Sequence, residues 1–212
     1  MAFKRICMYW KVKIDLFGDE AFHILSGHDL SDDDMSSLQL GGLFVLPNKD
    51  EAGRAIIISD RSKWELRQSH RKSFARAYWF TIHHALSDVE TQKKGFVIIV
   101  GMSRTFSLYE FDRKVSNLIM SSTYHALPIR IVAVHNTLQS KIVQLIQPFI
   151  WWAMGKEARR KFSHHCGPKN VIIGRLASEF GIDADSIPQE FGGTFDFNYE
   201  VWLREVLLAE GL

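Results

Sequence analysis

Long apolar runs are missing from this chain of 212 residues. The strongest, at 96–100 and 149–154, fall far short of the roughly 20 residues that carry a helix across a bilayer. Any membrane contact is therefore expected to be peripheral. Cysteine is scarce as well. Cys7 and Cys166 stand alone, in neither a CxxC nor a zinc spacing, which excludes a disulfide scaffold and fits a reducing compartment. Charge of one sign is also lacking, because 26 Lys and Arg against 24 Asp and Glu leave a net charge of +2. Without a basic bias or an aromatic-basic surface motif, nucleic acid is not an expected partner. Lys4, Arg5 and Lys11 break up the N-terminus before an apolar run builds, so it does not read as a signal peptide. The chemical motifs are absent too: no GxSxG elbow, no HExxH, no GxGxxG and no GxxxxGK[ST]. Nothing announces a hydrolase, a zinc protease or a nucleotide site, and no enzymatic activity or cofactor is expected.

What is present is an ordinary globular composition, 46% hydrophobic and 24% charged, enough for one sizeable core. Residues 3–17 read as a basic amphipathic helix with Phe3, Ile6, Cys7, Trp10, Ile14 and Phe17 on one side and Lys4, Arg5, Lys11 and Lys13 elsewhere. Gly18 ends it, and Asp19 can cap a short helix with Ala21, Phe22, Ile24 and Leu25. The acidic stretch 26–37, with Asp32, Asp33 and Asp34, reads as a solvated loop or helix start. Two strands follow at 42–47 and 54–59, joined by a loop with turn chemistry. A long helix is expected over 63–87. The continuous apolar run 95–100 has the signature of a central strand buried on both faces. A helix from Ser107 to about 122, a strand at 129–135 and a short extended piece at 161–165 come next. Helices at 171–180, closed by Gly181, and at 198–210 flank a turn-rich stretch, 187–193. Strands alternate with helices, which predicts an α/β fold with a mostly parallel mixed β-sheet flanked by helices.

The most hydrophobic helical segment is 138–154. Ile142, Val143, Leu145, Ile146, Phe149, Ile150, Trp152 and Met154 recur at three- and four-residue steps, over a thin polar face of Gln139, Ser140, Lys141, Gln144 and Gln147. Pro148 interrupts the pattern, and a proline there removes a backbone hydrogen bond and kinks or breaks a helix. Adjacent Trp151 and Trp152 cannot both face the core. Such a segment either closes a core or covers a cavity.

Several short motifs now fall in a telling order. Tyr9-Trp10 is followed by Leu16-Phe17-Gly18. A hairpin carries Leu46-Pro47, Asp50, Gly53-Arg54 and Ile56 to Ile58. Then come Gly95-Phe-Val-Ile-Ile-Val100, Pro128-Ile-Arg130 with Val134-His-Asn136, Gln147-Pro-Phe-Ile150, and Ile187-Pro-Gln-Glu-Phe-Gly-Gly-Thr194. In this order and spacing the chain resembles the CRAL-TRIO lipid-binding domain, from about Lys4 to Thr194. The resemblance implies a domain over 1–194, including its lead-in helix, with 195–212 as a C-terminal helix. It implies a sheet and helices that enclose a hydrophobic pocket, with 138–154 as a mobile gate. It also implies binding of one phospholipid, phosphoinositide-like, or another hydrophobic molecule, and its transfer between membranes. A bound ligand of that kind is then expected in place of a cofactor. The implied location is cytoplasmic with transient membrane association. Departures from the family pattern exist. Gly101 and Ile129 stand where acidic residues are usual, no single cation after Pro148 matches the headgroup lysine, and the preceding helical bundle has no counterpart ahead of Lys4. Headgroup identity is left open, as is the choice between a natural short form and a fragment.

The candidate lipid-binding residues follow. Val97, Ile99, Ile131 and Ala133 occupy alternating strand positions and could line one wall; plain sheet core is the alternative. Val143, Ile146, Phe149 and Trp152 form the gate's apolar face, and a packed core helix is the alternative. A lifted lid would expose a large apolar patch, which couples opening to a membrane or a ligand. Arg159, Arg160, Lys161 and His165 are candidates for headgroup or membrane contact, with a solvated basic face as the alternative. His135, beside Asn136, could bond a headgroup or be a satisfied core histidine. His83-His84 and His164-His165 diverge as neighbours on one element, so neither pair chelates a metal by itself. A ligand-free module that recruits partners or membranes is the second functional reading. A filled cavity would distinguish it.

Overall fold

A computed structural model describes residues 2–64, 70–103, 113–127, 129–137 and 159–212. Its centre is a five-stranded sheet in the order β1 (Leu43–Lys49), β2 (Ala55–Asp60), β3 (Phe96–Gly101), β4 (Ile131–Asn136), β5 (Phe162–His164). β1 and β2 form an antiparallel hairpin, and every later pairing is parallel. β2 is buried along its whole length and β3 nearly so, as continuous Ile and Val runs require when both faces are covered.

The helices are α1 (Ala2–Phe17), α2 (Asp32–Gln39), α3 (Arg71–Ala85), α4 (Val89–Lys94), α5 (Arg113–Ile119), α6 (Lys169–Phe180) and α7 (Tyr199–Ala209). α5 runs on into a wider π turn, Met120–Ala126. Among the described residues no helix is long and apolar enough to cross a membrane. Two cores sandwich the sheet. One joins Leu43, Ile57, Phe96, Ile98, Ile131 and Val134 to α1, α3, α5 and the π turn. The other joins Phe44, Ile56, Ile58, Val97 and Ile99 to Ile172, Ile173 and Leu176 of α6 and to the closing segment at Ile187 and Phe191.

The mixed, mostly parallel sheet is as expected. Of the two readings of the Asp32–Asp34 run, helix start is the one observed: it forms the first turn of α2. Ser31 caps it, exchanging hydrogen bonds with Asp34, and the buried Asp34 carboxylate pairs with Arg76 at 3.1 Å. Two local expectations change. The segment around Ala21 is a 3-10 turn, Gly18–Phe22, that leaves Ile24 in solvent. Helix α4 was not anticipated. Its six residues are too few and too polar for an apolar period, but Asp88 caps it through Glu90 N and Thr91 Oγ1.

α1 is a helix, as its periodicity predicts, but the side that packs is different. Tyr9, Val12, Leu16 and Phe17 face the core, and Tyr9 stacks on Trp79 at 5.4 Å. The stripe of Phe3, Ile6, Trp10 and Ile14 lies about a quarter-turn away and is exposed. Lys13 is not part of a solvated basic face. It is buried, and its ammonium donates to the His23 carbonyl at 2.7 Å.

Candidate functional site

In open parallel sheets, ligands meet the carboxyl ends of the strands. Here β2, β3 and β4 end in Asp60, Gly101 and Asn136. Asp60 is buried and accepts from Ser62 N at 3.0 Å, from Ser62 Oγ at 2.6 Å, from Ser103 N at 3.3 Å and from the Ser103 hydroxyl. The charge is satisfied by neutral donors, so this end of β2 is a closed polar knot that stitches the β3 exit to it.

A histidine cluster lies at the β4–β5 end. The parallel register sets His135 beside Ser163 and Asn136 beside His164. His165 N donates to the Asn136 carbonyl at 2.8 Å and so prolongs the ladder. His135 Nδ1 lies 3.1 Å from His165 Nε2, so one ring carries the shared proton. Phe180, the last residue of α6, meets both rings edge-on, at 4.4 and 5.5 Å between centroids. Burial pushes His135 down to about 4, and neighbouring His165 adds to this. Burial also lowers His164 and His165 from the ordinary histidine value. The cluster is thus neutral at pH 7. It can hydrogen-bond a polar group in an apolar setting, but it does not offer a cation. Neither ring nitrogen of His164, although buried, has a hydrogen-bond partner, an unusual state for an interior polar group. Among the described residues no three His, Cys, Asp or Glu side chains converge as metal ligands.

The cations are elsewhere. Arg159, Arg160 and Lys161 form an exposed helical turn that runs into the amino end of β5. His165 is buried with His135 at the other end of that strand. The structure therefore separates His165 from the three cations with which it was grouped. Val97, Ile99, Ala133 and His135 share one sheet face, against α6. Ile131 does not join them. The β3–β4 register slips between the pairs Phe96–Ile131 and Val97–Ala133, which turns Ile131 to the opposite core. Val143, Ile146, Phe149 and Trp152, together with the rest of 138–154, lie outside the described residues. A small cleft between α2, the start of β1 and α3, with Leu38, Leu43, Phe74 and Tyr78 in its walls, has a volume of about 10 Å³. That is below the roughly 300 Å³ at which pockets for drug-sized ligands begin.

A family model described as "CRAL/TRIO domain" matches residues 39–193. The chain belongs to this family. Among curated relatives, Clavesin-1 of Rattus norvegicus is 24% identical over 167 residues, covering 77% of this chain and 45% of the relative. The "Alpha-tocopherol transfer protein-like" protein of Homo sapiens is 25% identical over 177 residues, covering 82% and 50%. The chain thus spans about half the length of the curated relatives it matches. The solved structure "Crystal structure of Sfh5" superposes with a TM-score of 0.60 at 14% identity, over 91% of this chain and 67% of that one. It supports the α/β sheet architecture.

The motifs that point to the CRAL/TRIO family build the frame. Asp50 accepts from Arg54 N at 2.8 Å and from Arg54 Nε at 2.6 Å, closing the β1–β2 hairpin. Gly95 adopts φ +79, and a Cβ there would lie 2.2 Å from the Arg130 carbonyl oxygen, so only glycine lets β3 start beside the β4 lead-in. In the closing Gly192-Gly193 turn, a Cβ on Gly193 would meet the Ile187 carbonyl oxygen at 1.9 Å. Sequence reading missed the Asp60–Ser103 link and the Asp34–Arg76 pair. The first left a trace in the Asp-x-Ser turn at 60–62, the second in the Ser31-x-x-Asp34 capping pattern. Their distant partners left none.

Proposed function

We propose that this chain is a non-enzymatic carrier for one phospholipid or other hydrophobic molecule, which it exchanges at membrane surfaces. The observation that carries the reading is membership of the CRAL/TRIO family across residues 39–193, alongside a relative whose name includes tocopherol transfer. In this reading the apolar segment 138–154 closes the ligand site, and Val143, Ile146, Phe149 and Trp152 are its inner wall. Parallel crossovers are almost always right-handed. The described parts of the connections from β2 to β4 accordingly share one face, that of α3 and α5. The opposing wall would be Ile131 and Val134, with Val97, Ile99, Ala133 and His135 supporting the strands from behind. Arg159, Arg160 and Lys161 would meet anionic headgroups, each contributing about 1 kcal/mol near an anionic leaflet.

Opening would swap the ligand's bilayer for an apolar cavity. Both environments are apolar, so the net drive is small and release at another membrane stays feasible. The test is native mass spectrometry of protein purified from a eukaryotic host, with extraction and identification of bound lipid. One stoichiometric hydrophobe is expected. No recovered lipid together with no transfer between vesicles would overturn the reading. Were the ligand wall at Val97 and Ile99, the second reading, a ligand-free membrane-recruitment module, would be favoured, because side chains of α6 fill that sheet face. An empty protein that still pellets with anionic vesicles would establish that module instead.

A further inference from the structure

We infer that the outward face of α1 is a membrane-docking surface that lies in the plane of an anionic leaflet. Single exposed apolar residues are common on soluble proteins, but these are neither single nor scattered. Phe3 is 80% exposed, Ile6 48% and Trp10 40%, and with Ile14 they recur at helical spacing along one side of α1. Phe22, 68% exposed, extends the stripe by stacking on Trp10 at 6.1 Å between centroids.

Charge selects the occupant. Ahead of Asp15 the helix holds Lys4, Arg5, Lys11 and Lys13 and no carboxylate. Lys13 points inward, whereas Lys4 and Lys11 are exposed along one edge of the apolar stripe. An apolar face bearing Phe, Ile and Trp, bordered by lysines, is the pattern of a helix that lies in a membrane interface. The rings sink to the acyl boundary there while the lysine stems reach back to phosphates. A protein partner with an acidic groove would satisfy the lysines but has no need of an apolar stripe about three turns long open to solvent.

The packed side of α1, about a quarter-turn from the stripe, is firmly held. Tyr9 stacks on Trp79, and Arg76 Nε donates to the Leu16 carbonyl at 2.6 Å. Docking therefore needs no unfolding, and the sheet would be carried to the bilayer in a fixed orientation. The carrier reading above gives this docking its purpose, but the two can be tested apart.

The test is co-sedimentation of the full chain with phosphatidylcholine vesicles, with and without phosphatidylserine. The variants are Phe3→Ser/Ile6→Ser and Lys4→Glu/Lys11→Glu, all at exposed positions, with thermal melts to confirm the fold. The apolar pair is expected to lower partitioning about tenfold or more on anionic vesicles. The charge pair is expected to abolish the preference for phosphatidylserine and its sensitivity to salt. Exposed Cys7 lies one turn from both Phe3 and Trp10. An environment-sensitive fluorophore on it, in Cys166→Ser protein, should shift to the blue on the same vesicles. Unchanged partitioning of Phe3→Ser/Ile6→Ser would overturn the inference. So would a dimer that this substitution dissolves without any vesicle binding. Lipid extraction from the same preparations keeps the readings separate. Recovered lipid with α1-independent docking leaves the carrier and removes the docking surface. α1-dependent docking with no lipid or transfer does the reverse.

Discussion

The two faces of the sheet are made by the same strands and covered by different means. Ile57 points to one core and Ile56 and Ile58 to the other. On the first face the cover is aromatic, with Trp64, Phe74, Tyr78, Trp79 and Phe80 packed on Phe96 and Ile98. It comes mostly from segments that precede the sheet or connect its strands, with Leu203 and Val206 of α7 completing it. On the second face the cover is mostly aliphatic, Ile172, Ile173, Leu176, Ile182 and Ile187, and it follows the last strand in the chain. Of the described connections, α3, α5 and the π turn cannot lift away without pulling on strand order. The later layer can loosen while the sheet stays paired.

Truncation of Trp79 should have the largest effect on this contrast. It is fully buried, donates from Nε1 to the Ser122 carbonyl at 3.1 Å and stacks on both Tyr9 and His83, which also touch each other. Trp79→Ala should cost about 4 kcal/mol of global stability, read by denaturant unfolding. Leu176→Ala, on the other face, should cost about 3 kcal/mol. Hydrogen exchange should find its loss concentrated in α6 amides, with β2 and β3 still protected. Equal loss of protection in the central strands would show that both layers unfold as one unit, and the contrast would collapse.

Much of this architecture was legible in the sequence. The apolar runs of β2 and β3 announce strands covered on both sides, and Gly181 stops α6 where expected, at φ +66. The failures share a cause. Periodicity locates a stripe on α1 but not which way it faces, and that is decided by Tyr9 meeting Trp79, 70 positions away. A strand pattern gives Ile131 and Ala133 the same side, and the register slip that separates them has no residue signature. The candidate site was less legible still. His135 and His165 pair across strand register, 30 positions apart, so each histidine is visible in the sequence while the pair is not. The helix start at Asp34 was one of two readings, but its burial was not legible because its partner, Arg76, sits on another helix.

The histidine pair sharpens the comparison by making the second face sensitive to acid. The folded value of His135, about 4, lies below its ordinary 6.5, chiefly because of burial and next because of His165. As pH falls below 6.5 the unfolded chain takes up the proton first. Stability from this group is full above 6.5 and declines from there toward pH 4. The loss should reach about 2 kcal/mol at pH 5. Denaturant unfolding at pH 7 and pH 5 measures it, and His135→Gln should flatten the slope. An equal slope in wild type and variant would assign the acid sensitivity elsewhere.

The smallest effect belongs to the residue where the two layers meet. The Tyr199 ring packs on Phe44 and Trp202 of the second core, and its hydroxyl donates to the Leu38 carbonyl at the end of α2. Burial pushes the phenol well above its ordinary value, so the proton stays on and the bond holds at all working pH. Tyr199→Phe keeps the ring and removes only this bond, which leaves the carbonyl without that donor. The expected cost is about 1 kcal/mol, with an unchanged denaturant slope. The informative readout is exchange at α7. If Tyr199 is a tie between layers, α7 amides should lose protection while α3 and α6 keep theirs. A loss as large as that of Leu176→Ala, spread over the whole chain, would instead make α7 part of the cooperative core, and the second face would then be locked as firmly as the first.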